Sequence, residues 1–384
     1  MIYLDHNATT PIATEVLQAM MPFFQESFGN ASSFYKPARV ARAALSDARK
    51  TIAACINAFP EEIVFTGSGT EADNLCLRGV ARSFQGKNRH IITTSIEHHA
   101  VLNTCRDLEE QGIRVTRLPV DSYGTVDPDM VLKNIADDTI LISIMYANNE
   151  TGVVQPVEAI SEIARQKGIL FHTDAVQTFG KIPVSVEDLG VDLMTISAHK
   201  IYGPKGVGAL YIRKGTAVAP MITGGRHEMG MRAGTENIPS IVGFAKAAAT
   251  AVASLDKTSA QVGFMRDYLE NHIKDTIDNV TIHGLGARRI PNTTSIGFAA
   301  IDGESILLHL DLRGICASTG SACATGSTEP SHVLSAMGIS PIDATSTIRF
   351  SLGRDNTLDE IDFTVKSLRE IAERLRSISS IGDY

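Results

Sequence analysis

The stretch "ILFHTDAVQTFGKIPVSVEDLGVDLMTISAHKIYGPKG", Ile169 to Gly206, decides how this chain folds. Two runs in it, "ILFHTDA" and "LMTISA", are apolar on both faces, as strands are in a parallel sheet covered by helices on each side. Each ends in a polar cluster, and the second cluster contains Lys200, a long cation at the end of a buried strand. A lysine in that place either carries its ammonium out to water along its stem or is held in a site to form a Schiff base. Its neighbours decide between the two.

Outward from this stretch, "EIVFT", "HIITTS", "RVTRLPV", "TILISIMYAN" and "GALYIRK" repeat the strand pattern between about residues 60 and 215. Helical stretches such as "PVEAISEIARQKG" lie between them, and the alternating order predicts a three-layer α/β domain with a mainly parallel sheet. After an Ala-rich helical region around 240 to 275 come shorter strands, "NTTSIGFA" and "STIRFSLG", and a final helix opening with "TLDE". Thr357 and Glu360 there have the spacing of a capping box, and Ile361, Val365, Leu368 and Leu375 mark one apolar face. These elements predict a smaller α+β domain, so the expected division is a large domain over 16–254 and a small domain of 1–15 with 255–384.

The 384 residues, 43% of them hydrophobic, are enough for a large core and two domains. A formal net charge of −8 leaves no basic excess to draw nucleic acid or acidic membranes. The start, "MIYLDHNATTPIATEV", lacks a basic segment followed by an apolar one, and no later run is long enough to span a bilayer, so a cytoplasmic protein is expected. Five cysteines without a C-x-x-C pair give neither a disulfide framework nor a zinc site, and no metal is expected.

Ligands of open α/β sheets bind beyond the carboxyl ends of the strands. After "IVFT" comes "GSGTEADN", a glycine turn opening a helix whose N–H groups suit a single phosphate; it is neither a Walker loop nor GxGxxG. "IEHHA" places His98 and His99 at the next strand end, where at most one faces a site. "NNETG" offers Asn148 and Asn149, either turn formers or ligands. In "TDAVQ", Asp174 directly follows a strand, as a helix cap or as a site carboxylate, with Gln177 beyond it. A lysine, a carboxylate and a phosphate cup together are what pyridoxal phosphate needs, the carboxylate keeping the pyridine nitrogen protonated so that the ring accepts electrons. Lys200, Asp174 and the loop at Gly69 and Thr70 would supply them, with His98 stacked on the ring. Cys55, Cys76, Cys105 and Cys316 lie in apolar patterns and read as packing. Cys323, in "ASTGSACATGSTEPSHVL", has the surroundings of an exposed loop, where a thiol is either inert or an accessible nucleophile.

Taken in order, "YLDHNATT", "FGNASS", "TGSGTEADN", "IEHHAVL", "ANNETGVVQP", "HTDAVQ", "SAHKIYGPKGVG", "GTEN", "STGSACATGS" with "EPSHVL", and "TIRFSLGR" resemble the group I cysteine desulfurases of the nitrogen-fixation and iron–sulfur-cluster type. The resemblance implies a fold-type I pyridoxal-phosphate enzyme, commonly a homodimer, that converts L-cysteine to L-alanine and hands the sulfur to an acceptor or scaffold protein. It implies Lys200 as the cofactor lysine and Cα base, Asp174 as the pyridinium partner, Gln177 as donor to the ring's phenolic oxygen and His98 as the stacked imidazole. Gly69, Thr70, Ser197 and His199 match phosphate ligands, and Thr235 one donated from the second subunit. Asn149 and Arg349 match contacts to the ring and the substrate carboxylate, and Cys323 the sulfur acceptor. Tyr35, Arg226 and Met229 depart from the family's usual histidine, glycine and arginine. The alternatives are a selenocysteine lyase or an aminotransferase of the same fold, in which Cys323 carries no sulfur.

Overall fold

The computed structural model describes residues 1–84, 89–320 and 330–378. Twelve strands are present among them: β1 (Ile2–Tyr3), β2 (Ile63–Thr66), β3 (His90–Thr94), β4 (Arg114–Leu118), β5 (Thr139–Ser143), β6 (Leu170–Asp174), β7 (Leu193–Ser197), β8 (Gly208–Ile212), β9 (Val280–His283), β10 (Thr293–Phe298), β11 (Ile315–Cys316) and β12 (Thr347–Ser351). Seven form one sheet in the order β2-β8-β7-β6-β5-β3-β4. All its pairings are parallel except those of β8, which runs against both β2 and β7. The reason is length: the Ala198–Val207 connection is too short for a helical crossover, so the chain folds back beside β7.

Both faces of this sheet are buried, as the strand patterns predict, except at the edge strand β4, where Arg114 and Arg117 are exposed. Alternate side chains point to opposite faces. Phe65, Ile142 and Met194 join one core with Val157, Ile160, Ile241 and Phe244, whereas Val64, Leu141 and Leu193 join another with Leu75, Leu77, Val80 and Val101. The Ala-rich region is two helices, Ile238–Ala253 and Leu255–Thr276, meeting at 75°. Among the described residues no single helix is long and apolar enough to cross a membrane.

A second, antiparallel sheet has the order β12-β10-β9, and its core gathers Phe298, Phe350, Leu269, Ile273 and the predicted face Ile361, Val365, Leu368 and Leu375 of the helix Leu358–Ile378. That helix opens with the predicted capping box: Glu360 N donates to Thr357 Oγ1 (3.3 Å) and Thr357 N donates to Glu360 Oε2 (3.2 Å). The first residues of the chain belong with this core, because β1 pairs in parallel with β11 and Leu4 is buried in it. The next residues, Asn7 to Thr10, run across to Lys200 and His199.

Candidate active site

Beyond the carboxyl ends of the parallel strands lies a cavity of about 280 Å³ lined by Gly69, Thr70, His98, Asn149, Asp174, Gln177, Ser197, His199 and Lys200, together with Asp73 and Met145. Each predicted residue arrives from the end of a strand or the loop after it. The helix Gly69–Ser83 starts just beyond β2, with Ser68 Oγ accepting from Glu71 N (3.1 Å) as its N-cap. Gly69 and Thr70 form the first turn, whose N–H groups have no carbonyl one turn back. Beside them Ser197 Oγ is buried without a hydrogen-bond partner. His199 pairs through Nδ1 with Thr9 Oγ1 (3.2 Å).

His98 caps the helix His99–Glu110, and its Nδ1 accepts from Ala100 N (3.1 Å). An accepting Nδ1 leaves the ring proton on Nε2. Burial, with the charge of Lys200 and the neighbouring His99 and His332, pushes the His98 pKa down to about 4, so the ring is neutral. His99 turns away and packs against His332, ring centroids 4.7 Å apart. Of the two adjacent histidines, only His98 lines the cavity.

Asp174 is no helix cap. Its Oδ1 accepts from Val176 N (2.9 Å) in a turn, and burial raises its pKa to about 6 against the opposing pull of that bond and of Lys200. Of the two asparagines, Asn148 is the turn former, its Oδ1 accepting from Glu150 N (2.9 Å) and Thr151 N (3.0 Å), while Asn149 lines the cavity. Lys200 does not snorkel to water: its Nζ donates to the backbone carbonyls of Asn7 (2.5 Å) and Ala8 (2.8 Å).

Arg349, on β12, is buried at one edge of the site, where Nη2 meets Asp5 Oδ1 (2.7 Å) and Nη1 donates to Asn149 O (3.1 Å). Thr235 is not brought to the cavity; it lines a neighbouring one of about 190 Å³ with Gly67, Gly206 and Arg232. Cys323 lies outside the described residues. The described chain on either side of it is anchored beside the site: Ser318 N donates to Arg349 O (3.3 Å), and Ser331 Oγ donates to Glu150 Oε2 (2.5 Å). The other four thiols are held protonated, burial raising Cys55 to about 11 and Cys105 to about 12, and Cys76 and Cys316 in the same direction.

Sequence reasoning missed Asp73 and Asn7. Asp73 is buried 3.7 Å from His172 Nε2, its carboxyl pushed upward by burial and then by the charge of Asp174. Only its place one turn into the helix after "GSG" marked it. Asn7 binds Thr293 Oγ1 (2.8 Å), Asn149 O (3.1 Å), Asn292 Nδ2 (2.9 Å) and Lys200, and nothing local in "DHNATT" signals such a hub. Among the described residues no cluster of His, Cys, Asp or Glu could hold a metal ion.

A covered, mainly parallel sheet with a lysine, a carboxylate and a helix start at its strand ends defines a fold-type I enzyme, and the chain belongs to the aminotransferase class-V family, which matches residues 2–363. Within that family its likeness is to cysteine desulfurases: it is 51% identical over 379 residues to the cysteine desulfurase IscS of Dictyoglomus turgidum, covering 98% of this chain and 96% of that one. A solved NifS-like protein superimposes with a TM-score of 0.92 at 41% identity, covering 97% of this chain and 100% of that chain. The structure of SspA in complex with cysteine matches with a TM-score of 0.83 at 37% identity, covering 93% of this chain and 100% of that chain.

Proposed function

We propose that this chain is a pyridoxal-phosphate-dependent cysteine desulfurase that converts L-cysteine to L-alanine and takes the sulfur as a persulfide on Cys323. The observation that carries the reading is a single cavity holding an amine at the end of β7, a carboxylate at the end of β6 and a helix start at Gly69. The names of the relatives and the cysteine bound to SspA agree with it.

The residues fit the cofactor. The partnerless hydroxyl of Ser197 and the first turn at Gly69 and Thr70, with His199 nearby, would hold its phosphate. Asp174 would pair with the ring nitrogen, Gln177 with the phenolic oxygen, and the neutral ring of His98 would lie against the pyridine. Once bound, pyridoxal phosphate supplies an electron sink for the charge that develops at the substrate's Cα. Lys200 would hold the cofactor covalently and would move the Cα proton; the carbonyls of Asn7 and Ala8 already hold its nitrogen in the cavity. Asn149 and the Arg349 guanidinium take the substrate carboxylate, a planar fork suiting a planar anion. Anchoring of Ser318 to Arg349 and of Ser331 to Glu150 supports Cys323 as acceptor, because both flanks of its segment start at the wall of the site.

In this reading Thr235 completes the phosphate site of a second subunit, and the enzyme is a cytoplasmic homodimer that passes sulfur to an acceptor or scaffold protein. The two cores support a division into a large domain over 16–254 and a small one of 1–15 with 255–384. Borohydride reduction of the cofactor-loaded protein followed by peptide mapping tests the central bond: the pyridoxyl group is expected on Lys200, and its absence there sinks the reading. Cys323→Ala is expected to keep the cofactor and lose sulfide release from cysteine; retained release removes Cys323 from its role.

A further inference from the structure

Lys181 follows Gln177 by one helical turn's spacing in "QTFGK", yet no carboxylate among the described residues forms an ion pair with it. Its Nζ donates to Gln177 Oε1 (2.8 Å) and to Asn7 Oδ1 (3.1 Å). The charges that act on it most are the cations Lys200 and Arg349; the imidazoles of His6 and His199 lie near it, and Arg354 and Tyr202 line a cavity with it. Burial, with the charges of Lys200 and Arg349, pushes the Lys181 pKa well below the usual lysine value. Two amide oxygens therefore stand in for the counter-ion.

Those oxygens are not interchangeable with nitrogens. The Asn7 amide is fixed independently: Oδ1 also accepts from Asn292 Nδ2 (2.9 Å), while Nδ2 donates to Asn149 O (3.1 Å) and Thr293 Oγ1 (2.8 Å). For Gln177 the fixing partner of the oxygen is Lys181, whose Nζ donates to Oε1 and which, while protonated, has donors and no acceptor. With Oε1 committed there, Gln177 Nε2 donates to Asn7 O (3.2 Å), the same carbonyl that holds Lys200, and its second hydrogen is left for the cavity that Gln177 lines.

We propose that Lys181 is a positioning residue of the active site, which by donating to Gln177 Oε1 holds the Gln177 amide with its NH2 turned to the phenolic oxygen of bound pyridoxal phosphate. The assignment rests on the cofactor reading above. A flipped Gln177 would set its NH2 against the Lys181 donors and offer the anionic phenolic oxygen a second acceptor.

The readout is the pH midpoint of the visible absorption band of the cofactor-loaded protein, measured beside its melting temperature. Lys181→Met is expected to raise the midpoint by roughly 0.5 or more, because an anionic oxygen that loses a donor binds its proton more tightly. Lys181→Arg, which keeps donors, is expected to stay near wild type. In a Gln177→Leu background, Lys181→Met should add less than roughly 0.2, since the lysine acts through that amide. An unchanged midpoint in Lys181→Met, with or without a lower melting temperature, overturns the assignment, as does a full shift persisting without Gln177. Should Lys181→Met not fold, Lys181→Ala, which likewise removes the donor, carries the test: a shift of the same sign is expected, and a wild-type midpoint overturns the proposal. Absence of the band in the wild-type protein would instead overturn the cofactor reading itself.

Discussion

Reactivity among the cysteines is decided at the level of single residues. Burial keeps Cys55, Cys76, Cys105 and Cys316 as thiols at neutral pH, and the thiolate is the species that reacts. Brief iodoacetamide treatment near pH 7, followed by peptide mass mapping, is therefore expected to place most of the label on Cys323; equal labelling of the four packed cysteines would contradict their assignment. Asp174 and His98 show the same principle in the site. Their residue types were legible at strand ends, but the turn that keeps Asp174 in the cavity and the Nδ1 bond that keeps the His98 proton on Nε2 come from backbone geometry.

At the scale of elements, the proposed phosphate cup depends on how closely β8 approaches the loop after β2. A Cβ on Gly208 would lie 2.7 Å from Ser68 C and 2.9 Å from Gly69 N, backbone atoms that cannot move without carrying the cup with them. Gly208→Ala is expected to weaken pyridoxal phosphate binding by on the order of tenfold, measured by fluorescence titration of the cofactor-free protein, as the displaced N–H groups lose their aim. Unaltered affinity would show that the loop tolerates the shift. The strands themselves and the capping box of the last helix were readable from local pattern. The antiparallel insertion of β8 was not, because "GALYIRK" is apolar on both faces whichever way it runs.

Across the whole molecule, buried imidazoles set the response to acid. His90, His98, His199 and His283 have pKa values pushed down to about 4, and His172 to about 3, burial being the first cause in each. Unfolded, each binds its proton near pH 6.5, so between about 4 and 6.5 the unfolded chain holds more protons and stability rises with pH. Glu97 at about 8 and Asp174 at about 6, with Asp73, Glu150 and Asp192 raised as well, act in the opposite direction, since the folded form binds their protons more tightly, but these five carboxyls stand against seven lowered imidazoles once His6 and His99 are included. The melting temperature is expected to fall as pH is lowered from 6.5 to 4; a flat or rising profile would mean that these rings protonate without unfolding.

The sequence by itself determined the layered α/β architecture and set a lysine, a carboxylate and a glycine turn opening a helix at the strand ends, because hydrophobic period and turn residues are local properties of a chain. Tertiary structure alone decided which of His98 and His99, and of Asn148 and Asn149, enters the cavity. It also brought Asn7 and Lys181 to the site, since contacts between residues far apart in sequence form only when the first segment of the chain crosses to the ends of the central sheet.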